Sequence, residues 1–506
     1  MMLLTDRYAQ KISGVLSCFD RVVIQGTLPR FCYSQGMAGF LSYNQIRIFD
    51  YPRFAEPLRD ELRGNAERVA KENRLEIEFI RKKNFRKEDR IRDILTVRGN
   101  HPGLVHIFSA MESCQTYKPW HDKQTHKTFL KAADGKCLHY YFYLIDEELG
   151  LCYVRVPTWC PFRLQIYFNG HTWLAARLAK QGTHFTLMDN VFSRISDFSL
   201  AQGLSDSFKV DLLHHRLDLF AEQFCPIIKR FDLRYHWSIV QAEYATDIVF
   251  KHQEDLQSIY GYLSRTAIHT VKPENIATFL GRKLHENYEG EMGNNFNTRI
   301  EGTRIKHTMG SVSIKMYDKF SLILRIETTV NDVSFFKHYR LVEHRDGTQS
   351  KKLAQMQKGI YSLPALSHLL IAANCRYLEF ISAIDDPSAG IKRLDKISKP
   401  VVEGHRSYKG FNLFDDKDQL LFESIASGEF NISGFQNKHL RRKLEGKSSA
   451  QVSRTIKRLH VHGLIRKIGH TYKYYLTKLG SQLITMGLKL KELVIIPNLA
   501  GHLSLA

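Results

Sequence analysis

Two consecutive stretches near the middle of the chain alternate polar and apolar residues with a period of two. They span residues 313–320 and 322–329, and each places its polar side chains on one face: Lys315, Tyr317, Lys319, Arg325 and Glu327. Successive side chains of a strand point to opposite sides of a sheet, so the pattern predicts two β-strands. The short gap indicates an antiparallel hairpin, although its loop lacks an Asn-Gly pair. The shared polar face suits a phosphate, a metal ion or both; a half-buried hairpin with a solvated charged face also explains the pattern.

Composition limits the partners that the chain can have. A chain of 506 residues exceeds what one core usually holds, which predicts two to four domains. The formal net charge of +21 calls for an anionic partner, and nucleic acid is the common one because neutralised phosphates release counterions. A membrane is disfavoured, since the sequence has neither a long apolar run nor a basic amphipathic terminal helix.

The N-terminal half carries two weaker indications of chemistry. Asp20 enters an apolar stretch that reads as a buried strand, the position of the first carboxylate in nucleases of the RNase H type and also an ordinary place for a strand-end acid. Residues 210–264 read as mainly helical, so Glu243 and Asp247 would share one helical face. Such a pair can bind a metal ion or simply face solvent.

Targeting and redox signals favour a cytoplasmic protein. The first residues show no charged segment leading into an apolar core, so no signal peptide is predicted. The eight cysteines form no C-x-x-C pair, which disfavours a zinc ribbon and fits a reducing compartment.

The last 90 residues have the clearest pattern of predicted helices and strands. Helices are predicted over 418–426, 435–444 and from Ser448 or Ser449 to about His462, followed by strands over 464–468 and 472–476. In the third helix an apolar stripe opposes Gln451, Arg454, Thr455 and Arg458, residue types that reach base edges and phosphates. Between residues 433 and 480 there are twelve Lys and Arg residues and one acid, Glu445.

Two resemblances extend this interpretation. The text Q-V-S-R-T-I-K-R-L with H-G-L-I-R-K-I-G resembles winged-helix domains of the MarR type, and most of the chain is similar to a broad bacterial family labelled MarR-like. K-M-Y-D-K followed by R-I-E, after E-G-T-R-I-K-H-T-M-G, is similar to plasmid and phage rolling-circle replication initiators. Those proteins nick one DNA strand with a tyrosine, assisted by a divalent ion on carboxylates. Where they have the nucleophile, this chain has Lys306, His307 and Thr308.

These patterns predict an α+β multidomain protein with a central antiparallel sheet and a C-terminal winged helix-turn-helix. The predicted divisions are an N-terminal α/β region over 1–130, a central α+β domain over 131–399, a linker over 400–412 and a DNA-binding domain over 413–506. The predicted function is nucleic-acid binding for a mobile or replicating element, with metal-dependent strand nicking left open. The alternative is a non-catalytic regulator or a protein that binds structured RNA.

The site predictions follow from this reading. Tyr317, His307 and Glu327 are the expected catalytic residues, Glu301 and Glu327 the ligands of Mg²⁺ or Mn²⁺, and Lys315, Lys319 and Arg325 the phosphate contacts. Duplex DNA is the expected partner of the last domain, with single-stranded DNA or RNA elsewhere and a homodimer left open. The expected nucleic-acid contacts are Lys438, Arg441, Arg442, Ser449, Gln451, Arg454, Thr455, Arg458, Tyr472 and Lys473.

Overall fold

The chain is an α+β protein. The computed structural model describes residues 3–82, 84–231, 233–284, 291–299, 302–344, 346–384, 397–469 and 471–496. The α-helices are α1 Leu4–Arg7, α2 Ser34–Tyr43, α3 Tyr51–Glu72, α4 Lys87–Arg98, α5 Gly170–Lys180, α6 Phe198–Asp206, α7 Val210–Phe224, α8 Gln253–Thr270, α9 Pro273–Phe279, α10 Leu363–Ile384, α11 Asp416–Ile425, α12 Gly428–Ser433, α13 Asn437–Lys443, α14 Ser449–Val461 and α15 Lys478–Lys489. The strands are β1 Ile12–Thr27, β2 Ile77–Phe79, β3 Gly103–Asp122, β4 Lys127–Asp146, β5 Gly150–Pro157, β6 Leu164–Asn169, β7 Phe185–Met188, β8 Val191–Ile195, β9 His236–Phe250, β10 Met292–Arg299, β11 Gly302–Met309, β12 Val312–Lys319, β13 Ile323–Val330, β14 Lys337–Glu343, β15 Gln349–Gln355, β16 Val401–Glu403, β17 Arg406–Tyr408, β18 Ile465–Lys467 and β19 Tyr474–Leu476.

A large central sheet organises these elements. Its strand order is β10-β11-β12-β13-β9-β1-β6-β5-β4-β3-β2. The short strand β2 pairs in parallel with β3, whereas β4, β5 and β6 pair antiparallel with their neighbours. The expectation of a wholly antiparallel central sheet is therefore wrong: the sheet is mixed.

Packing divides the chain into two compact units, each built from several chain segments rather than from consecutive stretches. Unit 1 comprises residues 1–15, 245–328 and 369–506, and unit 2 comprises residues 16–244 and 329–368.

In unit 2, strands β1, β6 and β5 place polar residues side by side on one face of the sheet. Gln25 on β1 is paired with Gln165 on β6, and Gln165 is paired with Arg155 on β5. Helix α3 covers apolar surface because Leu58, Leu62 and Ala66 recur at helical spacing and are buried. The Asn65 amide fixes α3 to the end of α7 by donating to the Gln223 carbonyl at 3.2 Å.

In unit 1, the predicted hairpin is present as β12 and β13. Its loop is made by Phe320 and Ser321, both with a φ of 56°, and the Leu322 amide donates to the Lys319 carbonyl at 3.1 Å. Positive φ at both central residues is what a two-residue loop of type I′ requires, even without Asn-Gly. Every residue of β13 is buried, so the alternative of a half-buried hairpin with a solvated charged face is wrong for this strand.

The C-terminal part of unit 1 has its own apolar core. Val452, Ile456 and Leu459 of α14 form the buried stripe that the sequence predicts. Helix α12 lies against α9 so closely that a Cβ on Gly428 would be 2.1 Å from the Glu274 carbonyl oxygen, which excludes any side chain there. The predicted linker over 400–412 contains the two-stranded hairpin β16–β17.

One element in the middle of the chain differs from its prediction. The residues that hold Glu243 and Asp247 form strand β9, not a helix. Aromatic and β-branched residues between 236 and 250 favour a strand, and the even spacing of the two acids fitted either structure. No helix in the described ranges has both the length and the hydropathy that crossing a membrane requires.

Candidate functional site

Glu327 of unit 1 lies at the centre of a polar cluster. Its carboxylate accepts a hydrogen bond from the Tyr317 hydroxyl at 2.6 Å and another from the Lys315 ammonium group at 2.6 Å. Glu327 is 2% exposed, and the Lys315 side chain is 15% exposed. The period-two alternation of β12 and β13 therefore does bring three of the predicted residues together. In this arrangement the carboxylate can accept the phenolic proton of Tyr317, while Lys315 stabilises the negative charge.

Arg325, predicted as a phosphate contact, is instead held by an acid of its own unit. Its Nε and Nη2 atoms donate to the two carboxylate oxygens of Asp247 at 2.6 and 2.7 Å, and neither residue is more than 1% exposed. A bidentate pair of this kind has strong geometric preference, and breaking it leaves a buried charge. Arg325 is thus part of the interior of unit 1 rather than of an accessible surface.

His307 lies on the opposite face of the sheet from Tyr317. Strands β11 and β12 pair His307 with Ile314 and Lys306 with Lys315, and residues paired directly share a face. The His307 ring contacts the Asn294 side-chain oxygen at 2.7 Å and the Tyr377 hydroxyl at 3.2 Å. Burial lowers the pKa of His307 to about 4, so its ring is neutral near pH 7.

The remaining two residues predicted for this site are Lys319 and Glu301. Lys319 is 9% exposed, and its ammonium group lies 5.9 Å from the centre of the Phe320 ring. Glu301, predicted as a metal ligand, lies outside the described residues. Of the predicted catalytic and phosphate set, the contacts described within unit 1 join Lys315, Tyr317 and Glu327.

Unit 2 contains a second acidic centre around Asp20, which is 5% exposed on β1. One oxygen of its carboxylate accepts hydrogen bonds from the side-chain amides of Asn190 at 2.7 Å and Asn169 at 3.1 Å, and His171 Nδ1 lies 3.2 Å from the same oxygen. Asn169 also begins α5, because its side-chain oxygen accepts from the His171 and Thr172 amides. These neighbours hold the carboxylate in a fixed orientation.

Glu243 on β9 is the partner of Asp20 in unit 2. Ligand oxygens of the two side chains lie within 4.8 Å of each other, and the Thr329 hydroxyl donates to Glu243 at 3.1 Å. Two carboxylates this close repel each other unless a cation or a proton lies between them. Oxygen ligands are those that Mg²⁺ and Mn²⁺ prefer, so the donor chemistry of the pair fits a hard divalent ion.

The sequence indicated both acids but not that they meet. The sequence marks Asp20 as a candidate first carboxylate, whereas it predicts Glu243 on a helix together with Asp247. Reading the aromatic and β-branched residues of 236–250 as a strand would have placed Glu243 on a sheet, where a neighbouring strand can supply the second acid.

The C-terminal part of unit 1 joins two helices through a polar contact. Asn437 is the first residue of α13, and its side-chain amide donates to the Ser449 carbonyl at 3.0 Å and to the Ser453 hydroxyl at 2.8 Å. The Ser449 hydroxyl donates back to Asn437 at 3.2 Å. Ser448 caps α14, since its hydroxyl accepts from the Gln451 amide. The two helices are therefore held at a fixed angle before the hairpin β18–β19.

Most side chains predicted to contact nucleic acid in this region lie on its surface. Tyr472 is 77% exposed, and the Lys467 ammonium group lies 5.4 Å from its ring centre. Thr455 is half-buried. The exposed members are Lys438, Arg441, Arg442, Ser449, Gln451, Arg454, Tyr472 and Lys473.

Arg458 is held by contacts inside this region. Its Nη1 and Nη2 atoms donate to the Asp418 carboxylate at 2.9 and 3.0 Å, and its Nε donates to the Lys409 carbonyl at 2.9 Å. The guanidinium also lies 3.7 Å from the centre of the Phe411 ring. Arg458 thus connects α14 to α11 and to the segment before it, and these internal contacts occupy the group that the prediction assigned to DNA.

The fold and these sites define an α+β protein with buried acidic centres and a cationic C-terminal helical surface. No protein-family model, no curated protein and no solved structure matches the chain.

Proposed function

We propose that this chain binds nucleic acid and that its C-terminal residues 413–489 form a winged helix that docks on duplex DNA. The observation that carries the proposal is the exposed cationic surface formed by α13, the start of α14 and the hairpin β18–β19. Its residues are basic or uncharged polar, and Glu445 is the only acid between residues 433 and 480. A surface of this charge gains free energy from releasing the counterions of a polyphosphate.

The order of elements supports a particular mode of docking. Helices α13 and α14, held together through Asn437, correspond to the two helices of a helix-turn-helix, and α14 would enter the major groove. Gln451 and Arg454 are exposed at its N-terminal half, where residues of a recognition helix reach base edges. Tyr472 and Lys473 in the hairpin loop would lie along the adjacent backbone.

The test is duplex binding by the full-length protein, measured by fluorescence anisotropy at several salt concentrations. The double variant Arg441→Gln/Arg442→Gln should lose affinity and give a shallower dependence on salt, since each lost phosphate contact lowers the slope by about 0.9. The matched control removes the same charge from the exposed face of α3, as Arg63→Gln/Lys71→Gln, and should bind as the wild type does. Equal behaviour of the two double variants would refute the proposed surface, and parallel titrations with single-stranded DNA and structured RNA identify the preferred form.

A second function, metal-dependent cleavage of phosphodiesters, is favoured by the carboxylate pair of unit 2. Asp20 and Glu243 would hold Mg²⁺ or Mn²⁺, which supplies Lewis-acid stabilisation of charge on a phosphate. His171, Asn169 and Asn190 would orient the Asp20 carboxylate, as outer partners commonly do for metal ligands. Supercoiled plasmid incubated with Mn²⁺ should be nicked by the wild type and left intact by Asp20→Asn and by Glu243→Gln.

The product of that assay separates hydrolysis from transfer to a tyrosine. Tyr317, with its proton directed at Glu327, is the candidate for a covalent attachment to DNA. A protein–DNA adduct that is lost in Tyr317→Phe would support the strand-nicking class, whereas nicked plasmid without an adduct would support hydrolysis. If neither product forms, the remaining proposal is a regulator that binds DNA without cutting it.

A further inference from the structure

Unit 2 contains a cavity that the proposed function does not use. It measures about 280 Å³ and lies on one face of the sheet, where the paired residues Gln25, Gln165 and Arg155 form a row across β1, β6 and β5. Trp159 and Arg163, from the segment between β5 and β6, complete its lining. Neither Asp nor Glu is among the described residues that line it.

The cavity has a positive group, Arg163, for which the described residues show no ion pair with an acid. Arg155 is neutralised by Glu112, to which its Nη2 donates at 2.7 Å and its Nε at 3.0 Å. Arg163 donates from Nη2 to the Cys32 carbonyl at 3.3 Å, but its buried Nε has no acceptor within the described part of the chain. A buried donor without a partner is uncommon in folded proteins. Because Arg163 lines the cavity, its guanidinium is the group there with hydrogen-bonding capacity left for a ligand.

The remaining lining suits a flat, hydrogen-bonding ligand. The Trp159 indole is fixed in place because its Nε1 donates to the Thr116 hydroxyl at 2.7 Å. His139 is also part of the lining, and its Nδ1 donates to the Cys137 carbonyl at 3.0 Å, which leaves Nε2 as an acceptor. Burial, and then the charge of Arg155, lower the pKa of His139 to about 4, so the ring is neutral near pH 7.

We propose that this cavity binds one nucleotide unit, with the phosphate at Arg163 and the base between Trp159 and the amides of Gln25 and Gln165. Stacking on an indole suits any base, and glutamine amides offer both a donor and an acceptor to a base edge. Arg163 supplies the cationic, directional donor that a phosphate requires. The same chemistry is found in a free nucleotide and in an unpaired nucleotide of a strand. The proposal does not depend on DNA binding by the C-terminal region.

The experiment titrates the full-length protein with AMP, adenosine and inorganic phosphate and follows tryptophan fluorescence. AMP should quench it and should bind at least tenfold more tightly than adenosine. The chain has four tryptophans, so loss of the quench in Trp159→Phe assigns the signal to the cavity. Arg163→Gln should reduce AMP affinity to that of adenosine, and Arg163→Lys should restore part of it. The exposed Arg53→Gln variant is the control and should bind AMP normally.

A further arm distinguishes the two sources of the nucleotide. A single-stranded oligonucleotide of ten nucleotides that competes with AMP, and binds more tightly, would assign the cavity to a nucleotide within a nucleic-acid strand. AMP binding without competition from the strand would assign it to a free nucleotide. Unchanged AMP affinity in Arg163→Gln, or an unchanged quench in Trp159→Phe, would overturn the proposal, as would binding of inorganic phosphate or adenosine as tight as that of AMP.

Discussion

Arg454 and Arg458 lie four residues apart on α14, yet the structure predicts opposite consequences when each is changed to alanine. Arg458→Ala removes a bidentate pair with Asp418, a hydrogen bond to the Lys409 carbonyl and the contact with the Phe411 ring. Hydrogen bonds to charged groups contribute about 1.5–3 kcal/mol, and a partly buried cation–π contact about 1 kcal/mol more. Because one side chain makes all of these contacts, they do not add fully. We therefore expect a loss of about 3 kcal/mol in local stability.

Hydrogen exchange measures this loss directly. A change of about 3 kcal/mol corresponds to amides of α11 and α14 exchanging roughly a hundredfold faster in Arg458→Ala. Arg454 is exposed, so Arg454→Ala should change local stability by less than about 0.5 kcal/mol. It should instead weaken duplex binding and flatten the salt dependence by roughly one phosphate contact.

A double-mutant cycle with Asp418→Asn isolates the ion pair. If Arg458 acts through Asp418, the double variant should be much less destabilised than the sum of the two single variants. The reasoning fails if Arg458→Ala exchanges as the wild type does while weakening DNA binding as much as Arg454→Ala. That result would make Arg458 a DNA contact, as the sequence pattern first predicted.

Three other consequences can be measured. Ser321→Gly should stabilise unit 1 by up to about 1 kcal/mol, because glycine adopts the positive φ of this loop without the penalty of a Cβ; an unchanged unfolding midpoint would contradict this. His307 has a folded pKa of about 4, below its ordinary value of 6.5, so the unfolded chain takes up the proton first and stability falls as the pH drops from about 6.5 to 4; His307→Gln should remove up to roughly 3 kcal/mol of that loss in urea titrations. Mn²⁺ should raise the thermal midpoint of the wild type but not of Asp20→Asn or Glu243→Gln, and equal shifts in all three would exclude the carboxylate pair as the metal site.

Local patterns predicted those parts of the fold whose signal is contained in a short stretch. The hairpin β12–β13 followed from the period-two alternation of Lys315, Tyr317 and Glu327. Helices α11, α13 and α14 and the hairpin β18–β19 followed from helix caps and the apolar stripe of α14, whereas the short helix α12 was not predicted. Both stretches carry their own periodicity, so no knowledge of distant contacts was needed.

The contacts between residues that are distant in the sequence depend on which elements become neighbours in the fold. The meeting of Asp20 with Glu243 requires the tertiary sheet, and so does the burial of Arg325 against Asp247. Arg458 is a third example. The sequence pattern correctly placed it on the polar stripe of α14, but helical spacing does not predict its ion pair with Asp418, forty residues earlier. Residues of the same type at similar spacing are therefore exposed in some cases and buried in others, because their burial depends on contacts that form only in the folded chain.

The central claim is that the positive charge of this protein serves to bind nucleic acid through its C-terminal surface. The most direct measurement is the affinity of the full-length protein for duplex DNA as a function of salt. We predict binding at about 50 mM salt that weakens steeply, with a logarithmic slope of about −5 if five or six phosphates are contacted. Failure to bind duplex DNA, single-stranded DNA or RNA at that ionic strength would contradict the claim.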